Sequence, residues 1–240
     1  MNMVLKLMKK NTFVYLIISL LAISCNQESN TNDSSIEEEA QSPAEEIDST
    51  KKLLFSTATV NNGLPVLIGE SDSTVPTFNE DEWRQIEFIS KDFVTEIDSE
   101  FVGIRNIYDN KSFKGGTYMS FTDVAVRTLI PKPINISYAK LLKTFKQNDK
   151  ELQPIGMYQN EGTVANSFSF KLKGLTFYGI KESSGNVNTF CIFGAETPES
   201  IKTNLPLLSN FLKSENLYLV DWRAVNRYDE KTILTDLLRE

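Results

Sequence analysis

Ser167-Phe168-Ser169-Phe170-Lys171-Leu172, Leu175-Thr176-Phe177-Tyr178-Gly179-Ile180-Lys181-Glu182 and Val187-Asn188-Thr189-Phe190-Cys191-Ile192-Phe193 follow one another with only Lys173-Gly174 and Ser183-Ser184-Gly185-Asn186 between them. Runs rich in aromatic and β-branched residues, separated by short Gly-bearing turns, predict a meander of strands over 164–172, 175–182 and 187–193. A shorter strand at 155–158 precedes them.

Outward from this block, helical patterns lie on both sides. Asn79-Glu80-Asp81-Glu82 offers a cap and an acidic first turn, and apolar residues recur at Trp83, Ile86, Ile89, Phe93, Ile97, Phe101 and Ile104. Spacings of three and four describe one face of an amphipathic helix over about 80–105, ending by Gly103 and Tyr108-Asp109-Asn110. On the other side, Pro198 opens a helix carrying Ile201, Leu205, Leu208, Phe211 and Leu212. A strand at 217–225 follows, and Asp229 caps a final helix with Ile233, Leu234, Leu237 and Leu238. Leu53 to Val60 and Leu64 to Ile68 flank Asn61-Asn62-Gly63 and predict a β-hairpin. Residues 117–130 read as a strand in which Val124, Val126, Thr128 and Ile130 alternate against Ala125, Arg127 and Leu129, stopped by Pro131 and Pro133. Ser137 then caps a short helix with Leu141, Leu142 and Phe145, and 147–151 is a polar loop. Bunched strands with helices at either end predict an α+β fold: a mostly antiparallel sheet, the long helix of 80–105, and C-terminal helices packed on it. No regular βαβ alternation and no Gly-rich strand-to-helix turn occur, which removes the case for dinucleotide or P-loop binding.

The first 50 residues are of another kind. Lys6, Lys9 and Lys10 precede any acid, and the apolar run Phe13-Val14-Tyr15-Leu16-Ile17-Ile18-Ser19-Leu20-Leu21-Ala22-Ile23 stops at Ser24-Cys25. Roughly a dozen apolar residues is signal-peptide length, whereas a spanning helix needs about 20. Met8-Lys9-Lys10 reads as an alternative start of this segment. Leu21-Ala22-Ile23-Ser24-Cys25 resembles the lipobox of bacterial lipoproteins, with Ser24 as the small residue before the Cys. Ala22 stands where the family usually has Leu, a departure found in Bacteroidota-like lipoproteins. The resemblance covers residues 1–25. It implies a signal peptide over 1–24, cleavage before Cys25, and a diacylglyceryl group on Cys25 that attaches the chain to a membrane. Two or more acyl chains make such anchoring stable where one is marginal.

Behind the lipobox, 25–51 reads as an acidic disordered linker, and 52–240 as a single globular domain. The stretch 26–50 holds Glu28, Asp33, Glu37, Glu38, Glu39, Glu45, Glu46 and Asp48 and no base. Its polarity and like charge favour an extended leash with a contour of roughly 80–90 Å. Asp48-Ser49-Thr50 and Asp72-Ser73-Thr74 resemble the acceptor pattern of Bacteroidota O-glycosylation. The chain as a whole has 25 Lys and Arg against 32 Asp and Glu. With the leash and signal set aside, the domain is close to neutral, without the basic footprint that nucleic acid requires.

For chemistry the chain offers little. It contains no His, which removes the commonest general base, the usual triad and most catalytic zinc sites. No Gly-x-Ser-x-Gly elbow and no calcium-loop spacing occur, so neither metal nor cofactor is expected. Cys191 sits in an apolar strand and, with Cys25 lipidated, has no intrachain partner, so it reads as a small buried hydrophobe. Carboxylates beside large aromatics remain. Asp81 and Glu82 next to Trp83 suit a helix N-terminus. Asp221, next to Trp222 and two residues from Arg223, is the candidate catalytic carboxylate; an ion pair with Arg223 or another segment is the structural alternative. The expectation is a membrane-anchored lipoprotein of the cell envelope, in the outer membrane. Its non-catalytic domain would bind a partner there: an envelope protein complex, a polysaccharide or a toxin. The alternative is a carboxylate-dependent hydrolase such as a glycosidase, which needs two carboxylates at a set separation.

Overall fold

A large antiparallel sheet carries helices on one face and a mixed cover on the other. The computed structural model describes residues 57–236 apart from 62–64, 70–73, 116–117, 159–161 and 196–197. The expected signal peptide, Cys25 and leash lie outside the described residues. The chain divides between Leu53 and Leu54, and everything below concerns the unit Leu54–Glu240.

The predicted meander forms. β11 (Ser167–Leu172), β12 (Leu175–Lys181) and β13 (Asn186–Ala195) pair antiparallel in succession. The sheet continues through β4 (Ile86–Ser90), β14 (Leu217–Asp221) and β15 (Asn226–Tyr228), in the order β11-β12-β13-β4-β14-β15, with β8 (Ile136–Ser137) also on β13. One row of this register, Ser169–Tyr178–Cys191–Glu87–Val220–Arg227, crosses all six strands.

One face is closed by α2 (Tyr138–Phe145), α3 (Pro198–Glu215) and α4 (Thr232–Asp236), which bury Leu141, Phe145, Leu208, Phe211 and Ile233 against Phe88, Phe168, Phe170, Phe177 and Phe190. The ring of Phe145 lies 5.0 Å from both Phe177 and Phe211 and 5.3 Å from Phe190, in tilted and edge-on geometry, arrangements that aromatic quadrupoles favour. Gly179 leaves room for another ring of this face: it pairs with Phe168 across the strands, and a Cβ there would meet the Phe168 ring and the Thr189 carbonyl, both at 2.6 Å.

The opposite face is shared. Over β4 and β14 lies α1 (Val94–Asn110), burying Ile97, Phe101 and Ile104 against Ile89, Val220 and Trp222. With it sit β1 (Thr59–Asn61) and β7 (Ala125–Arg127), a parallel pair. Over β12 and β13 lies a small sheet in the order β2-β10-β9-β3: β2 (Leu67–Ile68), β10 (Gly162–Val164), β9 (Gly156–Met157) and β3 (Thr77–Phe78). Its inner residues Phe78, Met157 and Val164 pack with Trp83, Tyr178 and Cys191. A hairpin of β5 (Ser112–Gly115) and β6 (Tyr118–Phe121) follows α1.

The α+β class, the antiparallel sheet and the C-terminal helices agree with the sequence reading; several boundaries differ. The long helix begins at Val94, while 86–90, read as its first half, is the strand at the heart of the sheet. A central strand covered on both faces has no polar side, so its apolar residues lose the alternation of a half-buried strand and mimic helical spacing. The predicted hairpin at Asn61-Asn62-Gly63 does not form: β1 pairs with β7 and β2 with β10, so the two segments join different sheets. The predicted strand 117–130 is two short strands, β6 and β7. Arg127 points inward at 1% exposure and Val126 outward at 60%. The predicted strand 217–225 ends at Asp221 and turns into β15. Ser137 sits at the α2 N-cap, but its side chain makes no capping bond.

Candidate functional site

Asp221 is the last residue of β14 and is buried at 5% exposure. Its Oδ1 accepts from the backbone N–H of Arg223 at 3.0 Å and of Ala224 at 3.1 Å, and the Arg223 Nε lies 3.7 Å away. The carboxylate therefore caps the tight turn from β14 into β15, a common use of Asp at turns. Tyr108 fastens the same turn, donating from its hydroxyl to the Arg223 carbonyl at 2.5 Å. Burial, and next the Asp221 charge, push the Tyr108 phenol above its ordinary range.

Asp81 and Glu82 begin no long helix. They lie in a short 3-10 turn, where the Glu82 Oε2 accepts from the Asn79 backbone N–H at 2.8 Å. Trp83 is 2% exposed and stacks on Phe78 and Tyr178, with centroids at 4.9 and 5.4 Å. Cys191 is a free, fully buried thiol in the same cluster, as its apolar surroundings imply.

Among the described residues lies a buried polar network that the sequence did not disclose. Glu87 stands on β4 where the α1 cover meets the small-sheet cover. Arg84 Nε meets its Oε2 at 2.7 Å, Arg127 Nη1 its Oε1 at 3.4 Å, and the Trp222 indole N–H donates to Oε1 at 2.8 Å. Arg127 also donates to the Thr59 hydroxyl at 2.9 Å and the Arg84 carbonyl at 3.0 Å, bonds Asn61 Oδ1, and lies 4.3 Å from the Trp222 ring centroid. The backbone N–H of Arg84 donates to the Tyr178 hydroxyl at 2.8 Å. Burial pushes the Arg127 guanidinium down to about 10, still cationic at neutral pH. Each of the three side-chain nitrogens of Arg127 has a partner inside the protein, so the network acts as a pin joining β1, β4, β7 and the residues after β14. Only the alternation of Arg127 with Val126 could have hinted at it.

Two surface features offer themselves to partners. A cleft of about 440 Å³ opens where α2 starts, lined by Ser137, Tyr138, Asn166, Lys181, Glu182 and Ser183. Its polar groups are largely engaged. The Tyr138 hydroxyl bonds Asp149 at 2.5 Å, and the Lys181 ammonium sits 4.4 Å from the Tyr138 ring centroid. Glu182 is held below its usual range by Lys132, with Ser184 contributing. The second feature is the outer face of the small sheet. Val66 and Ile68 flank Leu67 on β2, and the register Ile68–Thr163–Gly156 places Tyr158, two residues beyond Gly156, on that same face. Val66, Ile68 and Tyr158 are 73%, 56% and 60% exposed. At sheet spacings they span roughly 15–20 Å. Since the Ala165 N–H bonds the Val66 carbonyl, the N–H and C=O of Leu67 point away from β10. Among the described residues no strand pairs with that edge.

Among the described residues no helix is long and apolar enough to cross a membrane, and no group of three or more His, Cys, Asp or Glu is placed to hold a metal ion. Set against protein-family models, curated proteins and solved structures, the chain matches none of them.

Proposed function

We propose that this chain is a lipid-anchored protein of the bacterial cell envelope, held in the outer membrane through Cys25, whose non-catalytic domain docks a polypeptide partner on the outer face and free edge of the small sheet. Val66, Ile68 and Tyr158 on one face carry this reading. Large apolar side chains grouped on a surface mark interaction sites, and an edge strand with unpaired backbone groups is a template for an added strand. The lipobox-like Leu21–Cys25 and the acidic stretch behind it support the anchored placement. The hydrolase alternative draws no support from Asp221, whose Oδ1 is occupied by two turn N–H groups.

A photo-crosslinking residue at Ile68, compared with one at Lys202, tests the docking face in living cells. The expected result is a discrete protein adduct from position 68, lost when Val66 is changed to Lys. No discrete adduct, or the same adduct from position 202, would contradict the proposal.

A further inference from the structure

We infer that the occupant of the small sheet's free edge is a second copy of this chain, paired β2 to β2 across a two-fold axis through Leu67; this rests on the docking reading above and names its partner. The edge itself sets the geometry. Leu67 directs both its N–H and its C=O away from β10, whose register with β2 runs Ile68–Thr163 and Leu67–Val164. On one side of it, Pro65 has no N–H to donate. On the other, Gly69 at φ +56° turns the chain out of the strand. The edge therefore offers one residue's pair of groups, and an antiparallel strand that takes both must place a residue directly opposite Leu67. When that residue is Leu67 of a second copy, the two exchange both bonds, and two four-stranded sheets become one of eight.

Side chains select the second copy. In this register Val66 of each copy stands opposite Ile68 of the other, in the closely spaced, non-hydrogen-bonded positions. β-Branched side chains facing each other there stabilise antiparallel strands, so the exposed Val66 and Ile68 cover one another across the axis. A two-fold axis also sets each residue near it against its own copy, where any charge would repel. From 53 to 69 the sequence has no charged residue, and Thr163 and Gly156, next to Ile68 along the same face, are neutral as well. Exposed edges are ordinarily protected by charged side chains or proline; this one has Pro65 alone, which leaves the Leu67 groups open. A foreign strand meets the same two bonds but must supply its own apolar match to Val66 and Ile68. The second copy brings that match with it. An edge this short covers less than the roughly 800 Å² per partner of a stable complex in solution. The pairing therefore draws on the confinement of both copies to one membrane, which raises their effective concentration.

Two measurements on the full chain, in the membranes of cells that make it, test this. The photo-crosslinking residue at position 68 should yield an adduct of twice the chain's mass that contains peptides of this chain only. In the second, a chain with Val66→Cys and a differently tagged chain with Ile68→Cys are made together and exposed to a mild oxidant. Opposed Cβ atoms in a non-hydrogen-bonded pair lie within disulfide reach, whereas like positions are offset diagonally, so the mixed pair should crosslink at least about fivefold faster than either chain alone. Both positions are exposed, so the substitutions spare the core, and the fully buried Cys191 does not compete. Lys202→Cys in both chains should give no dimer. A position-68 adduct with a different polypeptide overturns the second copy as partner and leaves the docking reading standing; no adduct at all removes both. A mixed pair that crosslinks no faster than either chain alone, or no faster than Lys202→Cys, overturns the two-fold pairing.

Discussion

The Trp222 indole N–H donates to Glu87 at 2.8 Å, while the Trp222 backbone N–H donates to the Gln85 carbonyl at 3.0 Å. Side chain and main chain thus tie the end of β14 to β4, and Glu87 does this as one anion facing two buried cations.

That ratio sets an order of effects. Glu87→Ala would strand Arg84 and Arg127 without an anion and should cost about 3–5 kcal/mol. Arg127→Met leaves one Arg facing one Glu and should cost less, about 1–3 kcal/mol, through the lost bonds to Thr59 and the Arg84 carbonyl. Urea denaturation of both variants checks the order. Equal losses would mean that the network behaves as independent contacts.

Gly179→Ala should destabilise by about 1–3 kcal/mol, although alanine suits a strand no worse than glycine. One of the two atoms at 2.6 Å from the added Cβ is the Thr189 carbonyl oxygen, a backbone atom of a paired strand that cannot swing aside. A thermal melt within one degree of wild type would contradict this packing.

Asp221→Ala should lose about 1–2 kcal/mol, because two turn N–H groups lose their acceptor. Asp221→Asn keeps an oxygen there and should lose less than half of that. Under the docking proposal, adduct formation from position 68 survives in the Asn variant.

Alkaline pH should weaken the fold before acid chemistry elsewhere explains it. Burial, and next the Glu87 charge, push the Cys191 thiol up; burial likewise raises the Tyr178 phenol. The folded chain keeps these protons at pH values where the unfolded chain releases them. Stability is therefore fully present below the unfolded thiol value of about 8.5 and declines as pH rises above it, approaching about 1.4 kcal/mol per unit for each such group. Urea midpoints from pH 7 to 10 check the decline, and Cys191→Ala should delay its onset. In the native chain a thiol reagent at pH 8 should leave Cys191 unmodified until urea unfolds it.

Legibility followed the kind of information each residue carries. The meander was readable because Lys173-Gly174 and Ser183 to Asn186 punctuate it, and turn chemistry is local. Pro198 and Asp229 announced the C-terminal helices for the same reason. Residues 86–90 misled because burial on both faces is a property of the assembled sheet. β1 and β2 were misjoined because Asn61-Asn62-Gly63 favours a hairpin locally, while the partners chosen, β7 and β10, are distant in sequence. The burial of Arg127 and Glu87 was not legible, because charged residues are seldom fully buried unless paired, and their pairing spans 40 positions. The exposed face of Val66, Ile68 and Tyr158 needed a register that no single strand encodes.

The central claim concerns where the chain is held. Intact-mass spectrometry of the protein purified from membranes tests it most directly. The account predicts a chain that begins at Cys25 and carries a diacylglyceryl group on its sulfur, absent from the Cys25→Ala variant. A membrane-derived chain that retains residues 1–24, or one whose Cys25 is an unmodified thiol, would contradict it.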